Sequence, residues 1–321
     1  MLVITCMRSS LSNRQKKVKT ESHPKSQIPQ AASLASETAL KWLRNLPGIG
    51  HAVSFQGLVR DFALVTYLVP ASRLQNCLPE GLELETPVSS EGTKEGTKTL
   101  RPLALISTAC FFNRNFRSTL LPVPTFNFQQ IAYRTYVRYQ GRIGTYTFRT
   151  DLGTIPSFAL QRAICQNAAH SQIKVIAPQD PLTGYKNFKT TWVDSHNERS
   201  TFELTATLKN SPTRSLYLPK SDLTHFLTHR LHNFFRAPGG ILMDQVLSHC
   251  SMKPWHGELG HAYFNFWEKL GVMSPQEMLH PVSVLVQPES EFLFYPPFPM
   301  HLLPDTLLPE FDSWSEKITR V

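Results

Sequence analysis

Cysteine is scarce and scattered in this chain. Cys6, Cys77, Cys110, Cys165 and Cys250 lie far apart and are odd in number. No two have zinc-ligand spacing, and they lay out no disulfide framework. A reducing, cytoplasmic setting is the expectation, with no metal site. Charge is also sparse at 18%, against 41% hydrophobic residues, an ordinary globular balance. No apolar run approaches the ~20 residues of a spanning helix, so no membrane span is expected. The opening MLVITCM is too short for the apolar region of a signal peptide, and its basic residues follow rather than precede it. An organelle transit peptide is the minor alternative. Gly-x-Ser-x-Gly, phosphate-binding loops and dinucleotide fingerprints are all missing, and with them the best-marked hydrolase, nucleotide and cofactor chemistries. No cofactor is expected.

The positive charge is concentrated. The net charge is +9, and residues 1–30 hold six basic residues and one acid, or +5, leaving +4 for the other 291. We read 1–30 as a disordered basic tail and 31–321 as a single domain. Such a tail could touch nucleic acid or anionic lipid, but no aromatic residues interleave to stack bases, so no nucleic-acid partner is expected. Proline is frequent at 24 residues, which suits strands and loops better than long helices.

Strand-like segments recur at 58–70, 103–112, 186–192, 200–208, 241–247 and 282–286. Helices are predicted over 33–46, 71–78, 156–166 and from Ser221 or Asp222 to Phe235. Residues 88–99 and 114–124 read as loops. Many strands and few helices predict an α+β, mainly β protein, with one antiparallel or mixed barrel.

The most informative stretch runs from Phe126 to Asp151, two long strands with a turn centred on Gly141 and Arg142. Period-2 alternation from that turn pairs Val137 with Tyr146 and Tyr133 with Thr150 on one face. The other face pairs Tyr136 with Thr147, Arg134 with Arg149 and Ala132 with Asp151. Two opposed arginines need an anion between them, which Asp151 or a bound carboxylate can supply. This second face, with Gln130, is either wet surface or the lining of a polar cavity.

Two further groups carry chemistry. His225, His229 and His232 share one stripe of the predicted helix, read as a solvated face or, with a third ligand such as His249 or His256, a metal site. No glutamate stands between them as a base, unlike the zinc-protease pattern. Cys250 beside His249 could be a nucleophile only if their side chains met, and adjacent strand residues point apart.

Five segments, LVTYLVPASRLQNCLPEGLELET (64–86), YRTYVRYQGRIGTYTFRTD (133–151), SDLTHFLTHRLHNFF (221–235), KPWH (253–256) and VSVLVQP (282–288), occur in the order seen in a known family. The chain resembles the domain of unknown function 2071 family, within the acetoacetate-decarboxylase-like superfamily. That resemblance implies antiparallel strands curled into a barrel or cone around a polar cavity, with a few peripheral helices. Gln130, Arg134, Arg149 and Asp151 then become ligand-binding residues. The decarboxylases use a Schiff-base lysine, and the corresponding stretch here, Gln166 to His170, has none; Lys174 lies four residues on. The decarboxylase glutamate maps onto Gln130, which cannot act as a base.

Three functions compete. The first is a protein binding a small anionic molecule, a small carboxylate above all, with a homo-oligomer as one allowed state. The second is an enzyme without a Schiff base, acting on a small carboxylate or enol, in which Asp151 or His170 moves the proton. The third is a nucleic-acid or membrane-surface partner recruited by the basic tail.

Overall fold

β-Branched and aromatic residues dominate the chain from Phe55 onward, and they build an extensive sheet. The computed structural model describes residues 54–94, 97–120, 125–180, 182–207, 223–250 and 252–300. All lie within one unit spanning residues 43–321. The basic tail and the helix expected over 33–46 fall outside the described residues.

The chain runs β1 (Phe55–Pro70), α1 (Ser72–Gln75), β2 (Glu83–Leu84), β3 (Val88–Lys94), β4 (Thr97–Ser118), β5 (Phe126–Tyr139) and β6 (Arg142–Leu152). It continues with α2 (Ile155–Ile164), β7 (Ala168–Ile176), β8 (Gln179–Asp180), β9 (Gly184–Asp194) and β10 (Arg199–Thr207). Last come α3 (Leu223–Thr228), β11 (His232–Arg236), β12 (Leu242–His249), β13 (Trp255–Tyr263), α4 (Asn265–Lys269), β14 (Ser283–Phe294) and β15 (Phe298–Pro299).

The sheet is mixed and ring-like, because two strands fork. On one edge β6 pairs with β5; on the other it pairs in parallel with β11 and then with β7. Likewise β14 pairs with β1 on one edge and with β13 and β12 on the other. The pairings therefore close two circuits that share β14, β1, β4, β5 and β6. The larger adds β7, β9, β10 and β13; the smaller adds β11 and β12. Each face of the shared strands has its own core. Val65, Ile106, Ile131, Tyr133, Phe188, Trp192 and Trp267 belong to the core of the larger circuit. Phe62, Leu64, Ala109, Phe111, Ala132, Tyr136 and Leu227 belong to the opposite face.

Three local expectations are corrected. Residues 88–94 and 97–99 are strand rather than loop: β3 pairs with the start of β4 from Val88↔Leu103 to Lys94↔Thr97. Part of the loop expected over 114–124 belongs to β4, which runs to Ser118 because β1 and β5 flank it on both sides. The helix expected to reach Phe235 stops at Thr228, and His232–Arg236 joins the sheet between β6 and β12. Ladder hydrogen bonds and burial of Phe234 and Phe235 there outweigh the helical period. Gly144 permits that junction, since a Cβ on it would lie 2.6 Å from the His232 carbonyl oxygen.

Candidate functional site

The β5–β6 hairpin turns one residue earlier than expected. Gln140 and Gly141 both have positive φ, 47° and 83°, and Tyr139 pairs with Arg142. Such a two-residue turn matches the strand twist and places glycine at its second position. A second departure decides the site. Thr147 pairs with Arg134 and Arg149 pairs with Tyr133, leaving Phe148 as a bulge. The bulge turns Arg149 and Asp151 onto the face of Tyr133 and Ile131. Arg134 stays on the opposite face with Gln130, Ala132 and Tyr136. The structure thus brings Arg149 and Asp151 together and separates both from Arg134, correcting the expected face and the expected pair of opposed arginines.

Arg149 is fully engaged where it stands. Its Nε donates to Asp151 Oδ1 at 2.8 Å, and its Nη2 reaches Asp194 Oδ2 at 3.2 Å. The guanidinium also lies 5.9 Å from the Phe266 ring centre. Burial holds the Asp151 carboxyl above the usual carboxylate range, with Arg149 opposing the shift. Burial pushes Asp194 the same way, but backbone N–H groups of Glu198 and His196, with Arg149, bring it below that range. One cation meets two carboxylates here, so this face carries no surplus positive charge. His170, the other proposed proton carrier, pairs with Leu152 on β7, and its ring lies 6.2 Å from Phe158 of α2.

The face of Arg134 is different. Its guanidinium lies 5.9 Å from the Phe62 ring centre. Its Nε is buried with no hydrogen-bond partner, and no carboxylate among the described residues pairs with it. Polar groups from neighbouring strands share this face. Tyr136, Ser107 and Thr66 form a buried hydroxyl chain with both links at 2.8 Å. Asn233 Oδ1 accepts from Thr147 at 2.6 Å and Thr145 at 3.3 Å. Asn113 Nδ2 donates to Gln130 Oε1 at 3.1 Å, while Asn113 Oδ1 is buried without a partner.

Helix α3 lies over this face. Phe226 meets the Tyr136 ring at 5.3 Å, and Arg230, just beyond the helix, stacks on Phe226 at 3.9 Å and pairs with Glu85 at 2.9 Å. The histidine stripe loses His232, which turns to Asp244 (2.9 Å) once the chain enters β11. His225 and His229 stack at 4.1 Å, and His249 of β12 meets His229 at 5.8 Å. His249 Nδ1 lies 2.8 Å from the Cys250 carbonyl oxygen and therefore carries a proton. Burial, then His225 and His249, push His229 down to about 4. Burial also lowers His249, with Arg134 adding to the effect. No group of three metal-ligating side chains among the described residues is arranged to hold a metal ion. No helix among them is long and apolar enough to cross a membrane.

Sequence reasoning found Arg134 and Gln130 but missed Asn113 and Asn233, whose isolated asparagines carry no spacing signal. It named His249 as an alternative third ligand and as the neighbour of Cys250, not as a group of this face. Each described lysine with a resolved side-chain environment, Lys174, Lys186, Lys189, Lys253 and Lys269, is exposed.

The ring-like mixed sheet with its few helices is an acetoacetate-decarboxylase-like fold. The model for domain of unknown function 2071, a family of "uncharacterized conserved protein", matches residues 58–290, and the chain belongs to that family. No curated protein matches it. Among solved structures, the enduracididine biosynthesis enzyme MppR complexed with pyruvate is similar at a TM-score of 0.50 and 13% identity, over 77% of this chain and 90% of that one. Acetoacetate decarboxylase from Legionella pneumophila subsp. pneumophila str. Philadelphia 1 gives 0.50 and 15%, over 76% and 86%. At such identities the likeness establishes the fold.

Proposed function

We propose that the protein binds a small carboxylate on the enclosed face of the smaller circuit, with Arg134 as the anion-holding residue and Gln130 on the same face. The observation that carries this reading is the uncompensated guanidinium. A guanidinium is a cation with donors only, and the Arg134 Nε is buried without a partner. Arg134 is half-buried with one orphan donor, and a carboxylate meets a guanidinium through two parallel hydrogen bonds. Arg149 and Asp151 already form an ion pair on the other face, so the Arg149 charge is compensated there. The pyruvate in the MppR complex is a ligand of the same chemical class.

A second reading, an enzyme acting on a small carboxylate or enol, is favoured by His249. This imidazole, kept neutral by burial, stands near Arg134 and is better placed than Asp151 or His170 to move a proton. The exposed lysines support a reaction that does not pass through a Schiff base.

The test is a calorimetric screen of small mono- and dicarboxylates against the wild type and Arg134→Ala. Losing a hydrogen bond to a charged group weakens binding by about 1.5–3 kcal/mol, roughly 10- to 150-fold. Equal binding to both proteins, or no carboxylate binding to the wild type, defeats the proposal.

A further inference from the structure

Several orphan polar atoms share this face, Gln287 Oε1 and Arg230 Nη1 among them, and two others have opposite character. Arg134 Nε is a donor without an acceptor; Asn113 Oδ1 is an acceptor without a donor. Asn113 is 1% exposed, and such a group costs stability unless something satisfies it. The two are well separated. Arg134 and Gln130, to which Asn113 is bonded, lie four residues apart on β5, about 13 Å along a strand. The floor between them is low and apolar, because Ala132 pairs directly with Ala109. An aromatic wall also joins the two ends. Phe292 lies 4.7 Å from His249 at the Arg134 end. From there the rings step through Phe294 (5.8 Å) and Phe116 (5.6 Å) to Phe128 (5.4 Å), the strand partner of Asn113.

Resting on the Arg134 reading above, we infer that the ligand is an elongated apolar carboxylate with a hydroxyl at its far end: its carboxylate pairs with Arg134, its body lies along the phenylalanine wall, and its hydroxyl donates to Asn113 Oδ1. Each part answers one feature. The single unpaired guanidinium takes one carboxylate. The half-buried rings of Phe292, Phe294 and Phe116 take an apolar body roughly 10 Å long, the span left once both side chains reach inward. The orphan amide oxygen can only accept, so the far end must donate.

The test is calorimetry on the full chain with matched acids: octanoate and decanoate, 8-hydroxyoctanoate and 10-hydroxydecanoate, with propionate as a short reference. In the wild type a terminal hydroxyl should tighten binding about 3- to 10-fold over the unsubstituted acid, as one net neutral hydrogen bond. Asn113→Leu should abolish that preference, while Arg134→Ala weakens every acid. Equal binding of hydroxylated and plain acids to the wild type overturns the inference without any variant needing to fold, as does a preference that survives Asn113→Leu. If propionate still binds through Arg134, the carboxylate reading stands alone. If no acid responds to Arg134→Ala, both fall.

Discussion

Arg149 and Asp151, two residues apart on β6, share one strand face and are joined at 2.8 Å. Asp151 is 1% exposed, so its charge depends on that partner. Arg149→Met should cost about 3–5 kcal/mol by stranding a buried carboxylate. Arg149→Met with Asp151→Leu should recover much of the loss, since Asp151 is then gone and Asp194 keeps the backbone N–H groups of His196 and Glu198. Urea unfolding of the three proteins checks this. Equal stability of wild type and single variant would show that the fold does not depend on the Arg149–Asp151 pair.

The parallel β6–β11 junction rests on Gly144. A Cβ there meets the His232 carbonyl oxygen at 2.6 Å and a Phe234 ring carbon at 2.8 Å, so something must shift. Gly144→Ala should destabilise by about 1–3 kcal/mol, the cost of overpacking a filled site. Hydrogen exchange should quicken at Asn233 and Phe234 before it quickens on β9. Unchanged protection across β11 would contradict this.

The histidines over the enclosed face predict an acid-sensitive structure. His229 titrates at about 4 in the fold, against an ordinary value near 6.5. Between those values the unfolded chain binds a proton that the native state refuses, so stability falls as pH drops through that window. The groups facing His229 are His225 of α3 and His249 of β12, with Arg134 of β5 behind His249; none is a carboxylate. The melting temperature should fall between pH 6.5 and 4, and His229→Gln should flatten the fall. A variant as steep as the wild type would place the acid sensitivity elsewhere.

Schiff-base chemistry should be absent. Lys174 lies on β7 with its side chain exposed to solvent, outside any desolvated pocket that would activate an amine. Borohydride treatment with a labelled β-keto acid should therefore attach no label. Labelling that disappears in Lys174→Ala would overturn this expectation.

Much of the fold was legible in the residues. The alternation of β1, β5, β6, β9 and β10 marked them as strands, and the apolar/polar period is a local property that survives in any context. The helix expected over 156–166 is α2, whose first turn Thr154 caps. The segment from His225 to Phe235 misled, because its apolar spacing fits a helix while β6 and β12 offer the second half a ladder on both edges. The extent of β3 and β4 was hidden for a related reason: a polar stretch reads as loop until a partner strand is present.

The sequence by itself determined that this is a mainly β chain of the domain of unknown function 2071 type, and that Arg134 and Gln130 belong to one strand face. Periodicity and motif order are written along the chain. Only the tertiary structure decided that Arg149 and Asp151 leave that face. A single bulged residue, Phe148, reverses the side-chain direction beyond it, and no composition or spacing rule marks where a strand will bulge. The closure that brings His249 and Asn233 onto the face of Arg134 was equally undecided by the sequence. It depends on β6 and β14 each forking between two partners, a contact between segments far apart in the chain.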